Sequence, residues 1–210
     1  MKTKLRSILT FTAAFSLAAS ILHAETQVFD FKDPKGVNNV RFQLDAPLES
    51  IAGTSTGVSG HVHYDRSAPE STKGRIVIDT ASLTVGNPLM REHLHGEGWL
   101  NVKQHPSIIF EVMDVDNVRG DADDVTADVT GNFTLKGVTK NITVPVRFTY
   151  LADRLGARVN DESVKGDLLV LRSNFEINRS EFGIKPGQNT DKVAETIEIS
   201  LAIAGASPRE

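Results

Sequence analysis

The stretch Val125-Thr126-Ala127-Asp128-Val129-Thr130-Gly131-Asn132-Phe133-Thr134-Leu135-Lys136 alternates small or apolar residues with polar ones along its whole length. Val, Ala, Val, Gly, Phe and Leu occupy the odd positions; Thr, Asp, Thr, Asn, Thr and Lys occupy the even ones. Successive side chains of a β-strand point to opposite faces, so this pattern predicts a half-buried strand with one apolar face.

The same period recurs outward in both directions. Val40, Phe42 and Leu44 alternate with Arg41, Gln43 and Asp45, and Val58, Gly60, Val62 and Tyr64 alternate with Ser59, His61, His63 and Asp65. Ile142, Val144, Val146, Phe148 and Tyr150 alternate with Thr143, Pro145, Arg147 and Thr149. Further strands are expected at 75–81, around Ile108, Phe110 and Val112, at 168–178 and at 196–204, with one more at 27–31. Short connections, with turn signals such as Asp33-Pro34 and Lys136-Gly137, favour antiparallel pairing. Such faces are buried in a sandwich or a barrel, and closure, which removes sheet edges, favours an up-and-down barrel. A barrel wide enough can hold an apolar ligand as well as side chains. Pro145 lacks a ladder donor and is expected at an edge or bulge; Gly131 is expected where the sheet bends. Residues 88–99 are the obvious helical segment, kept short by Gly96 and Gly98 and placed to cover a barrel mouth.

The 210-residue chain opens on Lys2, Lys4 and Arg6, followed by a mostly apolar run at 8–22 and the small residue Ala24. That is the layout of a secretory signal peptide, so residues 1–24 are expected to be removed and 25–210 to form one domain. The product is expected to be soluble and, in a cell with two membranes, periplasmic, with no membrane-spanning segment after cleavage. There is no cysteine, hence no disulfide, thiolate metal site or thiol nucleophile. The formal charge of −4 comes without the basic stripe that nucleic-acid binding uses. Asp121, Asp123 and Asp124 read as a solvated turn, because the calcium-loop spacing is missing.

Catalytic patterns are sparse. No Gly-x-Ser-x-Gly elbow, P-loop or dinucleotide fingerprint is present. Glu111 and Glu198 sit opposite apolar neighbours and are expected outside. His61 and His63 share a strand face, as a metal pair would, but that face also carries Ser59 and Asp65 and is expected to meet solvent. His93 and His95, on a helix, point about 200° apart. Neither a metal nor a cofactor is assigned. The apolar faces carry more: Phe42, Phe110, Phe133, Phe148 and Phe175 all lie on alternating strands and either fill a core or line a pocket. Arg91, His93 and Trp99 are candidates for its polar rim, and Arg179 for an anionic or oxygen-rich head group or for a pair with Glu181.

Three motifs in order resemble the YceI-like proteins: His93-Leu94 with Trp99-Leu100-Asn101, Pro106, Ile108 and Phe110; residues 131–139; and Ile177-Asn178-Arg179-Ser180-Glu181-Phe182-Gly183-Ile184. In the first, Met90 stands where the family pattern has Arg, with Arg91 one position later, and His105 replaces a Tyr before Pro106. The resemblance implies an all-β fold: a single antiparallel lipocalin-like β-barrel of about eight strands with a short helical segment near its mouth. It also implies an exported binding or carrier protein, not an enzyme, holding a polyisoprenoid or isoprenoid quinone. Phe110, Phe133, Leu135, Val146 and Phe148 are the interior positions expected to contact that ligand, with Phe42 and Phe175 beside them and Trp99 at the mouth. The partner is thus an apolar small molecule, and a homodimer is compatible with the reading. Two alternatives stay open: an enzyme acting on a lipid or quinone in the same barrel, and a structural barrel filled by its own side chains.

Overall fold

The structure is a computed structural model that describes residues 26–209; the expected signal peptide lies outside them. Eight staves follow one another around a closed antiparallel barrel. β1 (Gln27–Asp30) and β2 (Asn39–Asp45) make the first, and β3 (Ser50–Ser55) and β4 (Val58–Tyr64) the second. β5 (Lys73–Asp79) and β6 (Thr84–Val85) make the third. After α1 (Pro88–His95) come β7 (Ser107–Asp121), β8 (Asp124–Leu135) and β9 (Val138–Leu151). α2 (Leu155–Val159), β10 (Lys165–Asn178) and β11 (Thr196–Arg209) complete the chain. Each stave pairs with the next, and β11 closes the ring onto both halves of the first, at Asp30↔Ala206 and Glu198↔Gln43. The alternation of 125–136 is realised in β8: Val125, Ala127, Val129, Gly131, Phe133 and Leu135 are all buried inside.

The first stave is broken at 31–38, and one side chain bridges the gap. Asn38 donates to the carbonyls of Phe31 and Ala204, each at 3.0 Å, and accepts from the Ala204 N–H at 2.8 Å. Its amide thus offers β11 the donor and acceptor that a strand residue would have supplied, and Arg158 fills its remaining acceptor position at 3.0 Å. A buried amide satisfied in this way avoids the penalty of an orphaned polar group.

Pro145 lies in a central strand, yet at a local edge. It pairs with Asp128 of β8, but the β9–β10 ladder stops at Arg147↔Arg172. The Pro145 carbonyl faces the gap and accepts from Ser173 Oγ at 2.6 Å, so the missing N–H meets no ladder partner. Gly131 sits beside a bulge, where pairing jumps from Val112↔Gly131 to Asp114↔Thr130. A Cβ there would stand 2.5 Å from the Phe110 ring, so the glycine makes room for that ring on the curved sheet.

The two ends of the barrel differ. At one, Phe29, Phe31, Tyr64, Leu169 and Ile203 are essentially sealed from solvent. Asp167 latches that end, accepting from Tyr150 Oη (2.7 Å), Gln27 Nε2 (3.1 Å) and the Asp153 N–H (2.9 Å). The other end is formed by the 46–49 turn, α1 and the 183–195 segment, and its interior is not filled.

Candidate functional site

The unfilled end is a hollow of about 480 Å³ running into the barrel. Its wall is aliphatic and aromatic: Phe42, Phe110, Phe133, Leu135, Val146, Phe148 and Phe175 all line it. Phe42, Phe110, Val146 and Phe175 point inward yet are only partly buried, because they border empty space rather than packed neighbours. Phe133 holds the wall by edge-to-face contacts with Phe175 (6.3 Å) and Phe182 (5.5 Å). The hollow reaches the surface among the exposed residues Glu49, His93, Asn189 and Lys192.

α1 sorts the rim candidates by helical spacing. Asn87 caps it, accepting from the Met90 N–H at 3.1 Å, and Pro88 occupies the first turn. Met90, His93 and Leu94 lie at i, i+3 and i+4 and face the hollow. Arg91, a further 100° round, is exposed and does not line it, which corrects the expectation that it serves the rim. His95 turns away to the Leu83 carbonyl at 2.8 Å. Trp99 lines the mouth, with the Arg179 guanidinium 5.8 Å and Lys185 Nζ 5.2 Å from its ring centroid.

Arg179 borders the hollow but is not free to hold a head group. It is fully buried, and all its N–H groups are engaged. Nε donates to Ala194 O, Nη1 to the carbonyls of Ile184 and Lys185, and Nη2 to those of Gln188 and Val193. Its ionic partner is Glu195, 2.9 Å away, and not Glu181. A guanidinium satisfied in this way is a scaffold for the 183–195 segment. The remaining sequence candidates fall outside the hollow. Glu111, Glu198, His61 and His63 face solvent on the barrel's exterior, and Asp121 caps a turn by accepting from the Asp123 and Asp124 N–H groups.

Several wall residues had no individual mark in the sequence. Ile197, Ile199 and Leu201 were legible only as one apolar face of the last strand, and Met90 only once the helix is drawn. Glu49, Asn189 and Lys192 sit in turns whose convergence no local pattern encodes.

Comparison with protein-family profiles matches residues 22–204 to the YceI-like domain. The chain belongs to the YceI-like family. Among sequence relatives of this YceI-like protein, a UPF0312 protein of Pseudomonas putida is 27% identical over 160 residues, covering 76% of this chain and 75% of its own. Another, from Azotobacter vinelandii, is 33% identical over 98 residues, a stretch that spans 47% of this chain and about half (49%) of the relative. Solved structures share the fold. Burkholderia cenocepacia BcnA superposes with a TM-score of 0.66 at 21% identity, over 80% of this chain and 95% of its own. A polyisoprenoid binding domain from Saccharophagus degradans, implicated in plant cell wall breakdown, gives 0.62 at 13% identity, over 88% and 100%. Among the described residues no helix is long and apolar enough to cross a membrane.

Proposed function

We propose that this YceI-like protein is an exported, periplasmic carrier that holds a long apolar chain, an isoprenoid lipid or the tail of an isoprenoid quinone, inside its barrel. The observation that carries the reading is the hollow itself: blind at one end, open at the other, and walled by Phe, Val, Leu and Ile. Water is a poor occupant of such a wall, which offers few hydrogen bonds. A chain removing a few hundred Å² of apolar surface from water gains several kcal/mol at roughly 25 cal/mol per Å², offset by its lost freedom. The polyisoprenoid binding domain among the structural neighbours supports the isoprenoid class. Binding without chemistry accords with Arg179, the buried ion at the wall, being saturated by backbone carbonyls.

The test is organic extraction of natively purified protein followed by mass spectrometry, with cell fractionation to locate the mature chain. Recovery of an intact long-chain isoprenoid at near one per protein is expected. An empty extract, together with failure to take up added isoprenoid, overturns the reading; a bound lipid that is chemically converted points to an enzyme instead.

A further inference from the structure

On most sides the hollow stops at one level; beside β5 it reaches as far as the buried Thr72, the residue just before that strand. On four strands a wall residue is succeeded, two positions nearer the closed end, by one that does not reach the cavity: Val62 by Tyr64, Val129 by Ala127, Leu171 by Leu169 and Leu201 by Ile203. These successors are packed solid, none more than 5% exposed. Across this level lies Phe148, which lines the hollow while its ring stacks on Tyr64, 5.7 Å between centroids and 11° from parallel. Phe148 is also paired in register with both Val125 and Leu171, so the ring is held from two sides. Beneath it Phe29 and Phe31 are wholly buried and Asp167 latches the end, leaving a chain no onward path.

We propose that the Phe148–Tyr64 stack is a floor that sets the length of apolar chain the barrel accepts. The hollow of about 480 Å³ above this level is what the barrel can enclose of a chain. A chain longer than the run from mouth to floor therefore leaves its excess outside, past α1. This inference rests on the apolar-chain reading above and adds to it a ruler.

The experiment displaces N-phenyl-1-naphthylamine from the full mature chain with a homologous series of saturated primary alcohols of increasing length, and with farnesol and geranylgeraniol. Affinity is expected to climb by roughly fourfold per methylene up to a break at the length where the chain reaches the floor, then stay flat. Phe148→Ala should move the break to longer chains and Leu171→Phe to shorter ones. Phe148→Leu, which keeps more of the packing, should move it in the same direction as Phe148→Ala by less. A break that stays in place in the folded variants, or affinity that keeps climbing in the natural protein, overturns the floor while leaving the carrier reading standing. If no alcohol or prenol of any length displaces the dye or binds, the carrier reading itself fails and the floor with it.

Discussion

Arg179 and Glu195 meet at 2.9 Å, the arginine wholly buried and the carboxylate one-third exposed. The pair is the hub of the mouth, because the same guanidinium gathers five backbone carbonyls from the segment that follows. Apart from Ile184, which packs into the core beside the hollow, the segment contributes mainly acceptors, and a single cation gathers them.

Arg179→Ala should therefore destabilise the protein by about 3–5 kcal/mol, since it strands a carboxylate and several carbonyls at once. Arg179→Lys should recover little, because an ammonium has three donors and no planar fork. Urea unfolding of both variants checks this; a loss below 1 kcal/mol for the alanine variant, on the scale of an exposed ion pair, would contradict the role assigned to Arg179.

Phe133→Trp adds bulk at the wall between Phe175 and Phe182. It should fill part of the hollow and lower retained lipid severalfold, at a stability loss of about 1–3 kcal/mol from overpacking. Lipid-to-protein ratio after native purification is the measurement, and an unchanged ratio in a folded variant would show that Phe133 does not bound the ligand.

The Tyr64 hydroxyl is buried without a hydrogen-bond partner, and burial pushes its pKa up to about 12. Tyr64→Phe should be neutral or stabilising by about 1 kcal/mol, because it removes an unpaid desolvation. The phenol titrates higher in the folded chain than its ordinary value of 10.0, so the folded state binds more protons in between. Its contribution is intact below pH 10 and is lost as the pH rises from there towards 12. Denaturant melts across that window should show a shallower decline for Tyr64→Phe.

Burial alone would raise the Asp33 carboxyl. Hydrogen bonds from the Asn38, Lys35 and Val37 N–H groups, with the Arg158 charge, outweigh it and hold the pKa below the ordinary value. This group closes the 31–38 break, with Arg158 at 3.0 Å. A depressed folded pKa stabilises the protein above the unfolded value and is lost as pH falls below about 4. Asp33→Asn should cost about 1–3 kcal/mol at neutral pH and flatten stability below pH 4 in acid titrations; an unchanged acid midpoint would argue against it.

Much of the barrel was legible in period-two alternation, because a strand with one buried face must place apolar residues at every second position. β8 and β9 fell where their patterns run. β3 and β6 were missed: Ser50-Ile51-Ala52-Gly53-Thr54-Ser55 carries few large apolar residues, and two residues at β6 make no pattern at all. Gly53 is small because a Cβ there would strike the Phe42 ring at 2.2 Å, a constraint set by the neighbouring strand.

What the chain order alone determined was which residues face inward, since side-chain alternation is a local property of the extended backbone. Whether those faces meet as a filled core or leave a hollow was decided by the tertiary structure, because empty volume depends on how eight staves curve around one another. The same division explains the two arginines. Both looked available in one dimension; the helix turned Arg91 outward, and the folded 183–195 segment supplied the carbonyls that occupy Arg179.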